Sequence, residues 1–498
     1  MNGDQDALTD VRRGSSRVAF IGVASAALYL VVYVTQRAMF RNGLDQEVAG
    51  TLVRGEPADG TRLLLQSGGY YGATLLLFVL YLWLLILCRS GLFGDGRARA
   101  LVLAFPVLFN VGLLLGQPYQ SIDALTYVAH GYLGNLPGGN PYATTAAAVV
   151  QTDFAGQLAP FGWLPVHGVS PYGPLWTQLE IAAFKVAGDV FSTLLLIKTM
   201  VVAASFGSAA LIWKILGRVR PEDQLLGTLV YLWNPVIVVE FAAEGHNDAL
   251  MILCLLASLA LCVSGRPALS MVASMLGVLV KYVPAIFLPA QLVYLWHKGQ
   301  SRSRLALYLM LGFLIGGVLA LVLYEPFWVG LRTFEGVRLQ GQPLYSPSPS
   351  GLLYGYLRLV YPPGEAARLT LRILAGAFAV FVVIASLRAR DAAGLLGACA
   401  SIALAYVLVI SAHYWPWYAS LPLALMALRP GGVFLPAAIA LTLCSRLVAP
   451  ISTLFTNGFL DSGFALNLKM EVGVTTPLVI LLLLCYLHWL RRYAPAKE

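Results

Sequence analysis

The chain has 498 residues, of which 58% are hydrophobic and 11% charged, with a formal net charge of +9. Soluble domains average about 25% charged residues, and apolar runs of about 18 to 24 residues recur here, each long enough to cross a bilayer. A soluble domain and a large β-barrel are therefore excluded, because barrel strands alternate in short segments. In a membrane protein, the excess of basic residues is evidence of membrane topology and not of nucleic-acid binding.

The pattern predicts an all-α, polytopic membrane protein with about 14 transmembrane helices and both termini in the cytoplasm. The predicted spans, in chain order, are Val18–Thr35, Tyr70–Cys88, Leu101–Gln117, Val190–Trp213, Leu225–Ala243, His246–Val263, Pro267–Val280, Ala285–Trp296, Leu305–Tyr324, Leu369–Leu387, Ala392–Ala412, Trp415–Leu428, Val433–Pro450 and Pro477–Leu490.

The distribution of cations supports this arrangement. Every predicted cytoplasmic connection then carries Lys or Arg, whereas the stretch from Gln117 to Pro174 carries neither. Counting Pro174–Val186 as a further span would move Lys214 and the arginines after it to the outside. We therefore predict that Pro174–Val186 lies in the membrane interface.

Two long loops are predicted on the outer face of a single transmembrane domain, 1–498. The loop 118–189 is longer than a connector needs, and its aromatic and apolar content argues against disorder. We interpret it as an outer catalytic loop with interfacial helices. The segment 325–368 forms a second outer loop.

Asp123, directly after the third predicted span, is the candidate general base. A carboxylate at the outer surface could remove a proton from a hydroxyl nucleophile, although a helix cap or a solvated loop acid would look the same in sequence. Ionisable residues at membrane depth are costly and suggest function. Further polar and aromatic residues gather at the same predicted face as candidate substrate-binding residues: His130, Tyr172, Glu244, His246, Asn247, Asp248, Lys281, His413, Trp417 and Tyr418.

Each of these candidates has a structural alternative. Glu240, Glu244 and Asp248 are four apart and would share a face only if helix continued through Gly245, and Asn247 or Asp248 could cap the following helix. No ligand-spaced set such as HExxH is present, so no tightly held metal or other cofactor is expected, and a weakly bound divalent cation stays open.

The cationic and aromatic candidates are equally open. Lys281 could meet a lipid phosphate or extend to the surface. The run HYWPWY, which ends at Tyr418, could stack on a sugar or form an interfacial aromatic belt.

Several strings resemble the GT-C membrane glycosyltransferases: SIDALTYVAHG, GNPY, SPYGPLW, NPVIVVEFAAEGHNDALM and VKYVPAIFLP. The resemblance is greatest to bacterial polyprenol-phosphate-mannose-dependent α-1,6-mannosyltransferases. It implies transfer of mannose with inversion from a polyprenyl-phosphate donor to a glycolipid or lipoglycan acceptor, at the outer face of the inner (plasma) membrane. By position, Asp123 matches the family's catalytic acid, although Ile122 and Ala124 flank it where relatives often carry a paired acid.

A function of another class remains as the alternative. A lipid-linked-sugar flippase or secondary transporter would place ionisable groups near the bilayer midplane and often show internal repeats. The polar residues of this chain gather at one predicted end, and no repeat is evident. This pattern favours the transferase.

Overall fold

The computed structural model describes residues 2–41, 46–48, 51–53, 60–93, 96–163, 168–298, 301–340, 349–411, 415–456 and 462–493. Helices dominate these ranges, and a short antiparallel hairpin, β1 (Gln46–Val48) and β2 (Thr51–Val53), follows the first helix. The all-α class predicted from composition is confirmed.

The helices, in chain order, are α1 (Asn2–Arg41), α2 (Gly60–Arg89), α3 (Gly96–Leu114), α4 (Asp123–Asn135), α5 (Ala155–Leu158), α6 (Pro174–Ala187), α7 (Val190–Val219), α8 (Gln224–Leu232), α9 (Pro235–Val238), α10 (Asp248–Val263), α11 (Pro267–Val280), α12 (Leu288–His297), α13 (Arg302–Tyr324), α14 (Glu335–Gln340), α15 (Pro349–Leu357), α16 (Pro363–Ser386), α17 (Ala392–Ala405), α18 (Ser420–Ala427), α19 (Leu435–Thr456), α20 (Ser462–Met470) and α21 (Thr476–Tyr493).

Eight helical segments among the described residues are long and apolar enough to cross a membrane, or nine if one bent pair counts as a single span. The chain is thus a multi-pass membrane protein, but the count of about 14 is not confirmed. The eight are Gly14–Met39, Gly60–Arg89, Gly96–Leu114, Val190–Val219, Arg302–Phe327, Pro363–Ser386, Ala392–Ile410 and Asn467–His488.

The remaining predicted spans are short or broken, and the breaks have visible causes. Pro235 divides the fifth predicted span, whose two halves meet at 54°. Gly245 has φ +78°, which interrupts the helical backbone. The next helix, α10, therefore begins at Asp248 rather than at the predicted His246. Hydropathy alone counts apolar residues and does not register such breaks, and irregular backbone at membrane depth is tolerated where it is buried in protein.

The loop predicted to be catalytic folds against the bundle as short helices. Within it α4 packs on α6, and Gly131 allows this close approach, since a Cβ there would lie 2.6 Å from the carbonyl oxygen of Glu180. The segment predicted as interfacial, Pro174–Val186, is helical as α6, and it is not among the candidate spans. This layer carries Asp123 and Tyr172 to one end of the bundle formed by α7, α10, α11 and α13.

Candidate active site

Asp123 is the first residue of α4, where unpaired backbone N–H groups favour a negative charge. Its Oδ2 accepts a long hydrogen bond from Tyr172 Oη, at 3.5 Å, and lies 3.6 Å from His246 Nδ1. The carboxylate is 13% exposed. It is therefore held from two sides and still accessible, as a proton acceptor for a substrate has to be.

Glu244 fixes the turn that precedes Asp123. Its carboxylate accepts hydrogen bonds from three successive backbone N–H groups, those of Tyr119 (3.4 Å), Gln120 (3.0 Å) and Ser121 (3.1 Å). The side-chain amide of Gln36, on α1, donates to the same carboxylate at 2.8 Å. Because hydrogen bonds to an ionised acceptor are the stronger ones, Glu244 determines where α4 begins.

His246 connects Asp123 to a buried ion pair. Its Nε2 lies 3.3 Å from Glu240 Oε2, while the other oxygen of Glu240 binds the guanidinium of Arg446. Arg446 also donates to Tyr70 Oη at 2.7 Å. The polar residues at this end of the bundle form a chain of contacts that reaches from the exposed edge of Asp123 into the core.

The imidazole lies in the break between helices, and its charge state depends on its neighbours. Burial disfavours the imidazolium of His246, but the carboxylates of Asp123 and Glu240, one beside each ring nitrogen, favour it. A cation beside Asp123 favours the ionised carboxylate that a general base requires.

Tyr172 reaches Asp123 because the SPYGP segment is anchored. Its backbone carbonyl accepts hydrogen bonds from Tyr142 Oη, at 2.9 Å, and from Tyr282 Oη, at 3.3 Å. Gly173 passes so close to α11 that a Cβ would lie 2.1 Å from the carbonyl oxygen of Leu279. Burial and the nearby Asp123 raise the pKa of Tyr172 well above its usual value, so its hydroxyl stays protonated and donates.

Lys281 and Asp248 form a pair on the other flank of the cluster. Lys281 Nζ donates to both carboxylate oxygens of Asp248, at 3.0 and 2.8 Å, and lies 5.1 Å from the ring centroid of Tyr418. The lysine is 17% exposed. It neither extends freely to the surface nor stands as an isolated cation.

The tryptophans of the HYWPWY run pack on the same cluster. Trp417 stacks on His246 with ring centroids 3.8 Å apart and is 8% exposed. Trp415 lies parallel to Trp417 at 5.4 Å and is 46% exposed. Trp415 is thus the more accessible surface for a sugar ring.

The predicted residues divide into a group that the structure brings together and a few that lie apart. His130 is buried, with its Nδ1 3.5 Å from Glu180 Oε2 on α6. Asn247 precedes α10 as its N-cap residue but makes no side-chain capping bond, and both polar atoms of its buried amide lack a hydrogen-bond partner in the described structure. His413 lies outside the described residues. The group brought together comprises Asp123, Tyr172, Glu244, His246, Asp248, Lys281, Trp417 and Tyr418.

The condition for a shared acidic face is not met. Helix does not continue through Gly245, and the three carboxylates four residues apart take different partners. Arg446 was missed in the sequence, although a lone arginine inside the apolar run LTLCSRLVAP is the kind of residue that indicates function at membrane depth. No three His, Cys, Asp or Glu side chains within the described ranges are arranged to hold a metal ion.

The fold and this cluster define a multi-pass membrane protein with an accessible, oriented carboxylate at one end of its bundle. The family model described as "Alpha-(1->6)-mannopyranosyltransferase, N-terminal domain" matches residues 19–298, more than half of the chain. The chain belongs to this family of glycosyltransferases, which confirms the resemblance seen in the sequence. The described site residues from Asp123 to Lys281 fall inside the matched region, and those from Trp415 onwards fall outside it.

One relative extends the comparison beyond the matched domain. Alpha-(1->6)-mannopyranosyltransferase A of Mycobacterium tuberculosis is 26% identical over 348 residues, which are 65% of this chain and 64% of the relative. The alignment thus spans just under two thirds of that relative's length.

Proposed function

We propose that the chain is a membrane mannosyltransferase. It transfers mannose from a polyprenyl-phosphate donor to a hydroxyl group of a cell-envelope glycolipid or lipoglycan, with inversion, at the outer face of the bacterial plasma membrane. Membership of the α-(1->6)-mannopyranosyltransferase family supports the sugar and the reaction. The position of Asp123, oriented by Tyr172 and His246 and still accessible, is the observation that supports its role as general base.

The proposed reaction needs one base. Asp123 takes the proton of the acceptor hydroxyl, whose oxygen forms the new bond to C1 of mannose as the bond from C1 to the phosphate oxygen breaks. Polyprenyl phosphate leaves with that electron pair as an anion, so no second carboxylic acid is required to protonate the leaving group, in contrast to glycoside hydrolysis. No metal or other cofactor takes part in the proposed mechanism.

The cationic flank of the cluster suits the donor. Lys281 is partly exposed, and its pairing with Asp248 fixes the ammonium in place. A phosphate that approaches the open side of this ammonium gains a charge-assisted hydrogen bond, which strengthens as charge develops on the leaving oxygen. Trp415 provides an exposed indole for stacking on a sugar ring.

The decisive experiment measures sugar transfer in membranes supplied with polyprenyl-phosphate-[radiolabelled mannose]. We expect Asp123→Asn to abolish transfer and to leave expression and donor binding near the wild-type level, since only the base is lost. The matched control is Asp153→Asn, which changes an exposed acid of the same loop and should remain active.

Two outcomes would contradict the proposal. Transfer by Asp123→Asn at the wild-type rate would remove this residue from the mechanism and make Asp248 the next candidate. A wild-type protein that transfers none of several lipid-linked sugars but moves them across liposomes would be a flippase.

A further inference from the structure

A cavity of about 360 Å³ lies between α7 and α10, at the ends of these helices remote from the candidate active site. Lys214 and Arg218 of α7 line it, together with Arg266, which precedes α11. The α10 helix has 16 residues and starts at Asp248. The residues of α10 that line the cavity, from Ala257 to Leu261, follow Asp248 by 9 to 13 positions, so at 1.5 Å per residue they lie about 14 to 20 Å from it along the helix. The two sites therefore lie near opposite faces of the bundle.

The cavity is strongly cationic. Lys214, Arg218 and Arg266 are all exposed, and its lining contains no acidic residue. Lys298 adds a fourth cation at its border, where its ammonium binds the carbonyl oxygens of Cys262 and Val263 at the end of α10.

Two further contacts affect this charge without cancelling it. Arg218 Nη1 donates to Ser264 Oγ, which holds the guanidinium against the cavity without neutralising it. The nearby acid Asp223 lies 3.7 Å from Arg220 and is outside the lining.

Apart from Ser264, the rest of the lining is apolar and is contributed by the faces of two helices. Leu211 lies one turn before Lys214 on α7, and Ala257, Ala260 and Leu261 line the opposite side on α10. An excess of cations at the cytoplasmic ends of helices is common in membrane proteins. That rule explains the cations but not a concave site in which they surround an apolar wall. A ligand for this site needs an anionic head and a hydrocarbon part.

We propose that this cavity binds one anionic phospholipid of the membrane leaflet opposite the candidate active site. The phosphodiester lies among Lys214, Arg218 and Arg266, where it forms charge-assisted hydrogen bonds. An acyl chain follows the apolar wall toward Leu211 and Ala257. Basic pockets between transmembrane helices are established sites for anionic head groups in other membrane proteins. The lipid connects α7, α10 and the start of α11.

The test uses the purified full-length protein in detergent after delipidation, with phosphatidylglycerol as the probe and native mass spectrometry as the readout. We expect one phosphatidylglycerol to stay bound to the wild type and to raise its Tm, and phosphatidylcholine to bind at least ~10-fold more weakly. The triple variant Lys214→Gln/Arg218→Gln/Arg266→Gln should lose at least ~10-fold in affinity. Ala257→Phe keeps every cation but fills the cavity, and it should weaken binding equally.

The control removes three exposed arginines that do not line the cavity, as Arg304→Gln/Arg388→Gln/Arg390→Gln. It should bind phosphatidylglycerol as the wild type does. Equal losses in the control and in the cavity variant, or unchanged binding by Ala257→Phe, would reduce the interaction to diffuse attraction and overturn the proposal. A Tm increase from millimolar inorganic phosphate as large as that from phosphatidylglycerol would overturn it in favour of a free-anion site.

Discussion

Gly245→Ala is expected to lower the rate of transfer about tenfold by displacing the backbone beside the candidate base. Gly245 has φ +78°, and a Cβ at this position would lie 2.9 Å from Lys198 Cγ and 3.4 Å from Ala124 Cβ. An alanine at positive φ costs about 1–2 kcal/mol by itself. Ordinary van der Waals contact starts at 3.4 Å, so Lys198 or the backbone must also move by the difference of 0.5 Å.

Neither neighbour can yield easily. Lys198 is buried, and its ammonium binds the carbonyl oxygens of Leu113 and Gly116, at the end of α3. Ala124 follows the candidate base directly. The added methyl group must therefore displace the backbone, either at Glu244 and His246, which flank position 245, or at Asp123, which precedes Ala124. Since a misplacement of about 1 Å can cost about 10²-fold in rate, a shift of half that size should cost about tenfold.

The assay is mannosyl transfer at saturating donor, together with the Tm of the purified protein. Gly188→Ala is the control, because Gly188 has φ +77° and a Cβ added there would meet no atom within 4 Å. Both variants should lose the stability that a positive φ costs, Gly245→Ala somewhat more because of its contact with Lys198, but only Gly245→Ala should lose activity. Transfer by Gly245→Ala within twofold of the Gly188→Ala rate would refute the reasoning.

Two further substitutions test other parts of the cluster. Lys281→Ala should raise the KM for the lipid-phosphate donor with a smaller effect on kcat, and the double variant Lys281→Ala/Asp248→Asn, which leaves no unpaired carboxylate, should keep the raised KM. The control Lys185→Gln, an exposed lysine of α6, should keep the wild-type KM; a normal KM in Lys281→Ala would remove the lysine from donor binding. Glu240→Gln should lower stability by about 3 kcal/mol, because it leaves the guanidinium of Arg446 buried without its carboxylate. Adding Arg446→Met should restore most of the Tm, whereas Glu222→Gln, at an exposed acid, should leave it unchanged; a Glu240→Gln protein as stable as the wild type would contradict this account.

Much of the site could be anticipated from the sequence, because topology sorts polar residues by membrane face. Asp123, His246 and Lys281 are far apart in the chain, yet alternating spans predict them at one end, and the structure brings them together. The strings GHND and SPYGP also contain glycines with structural roles, since Gly245 has a positive φ and Gly173 passes close to the backbone of Leu279. The position of Asp123 directly after the third predicted span made it the candidate base, and the family resemblance pointed to the same residue.

The partners of these residues could not be predicted. Hydrophobic periodicity describes regular helices, so it gives no register for the break at Gly245 or for the bend at Pro235. The protein partner of Lys281, Asp248, is 33 positions away and could not be recognised from the sequence. A ligand phosphate was therefore the partner that the sequence suggested for this lysine. Arg446 pairs across 206 positions with Glu240, a contact that only tertiary packing defines. The count of about 14 spans is not confirmed, since short apolar helices and membrane-spanning ones have similar hydropathy.

The hydrogen bond from Gln36 to Glu244 changes how the N-terminal helix should be regarded. A first membrane helix is commonly treated as an interchangeable anchor, yet here α1 contributes a donor to the carboxylate that fixes the start of α4. The family match begins at residue 19 and so includes the part of this helix that carries Gln36. Chimaeras between relatives must therefore exchange α1 and the α3–α4 turn as one inherited unit, or supply Glu244 with another amide.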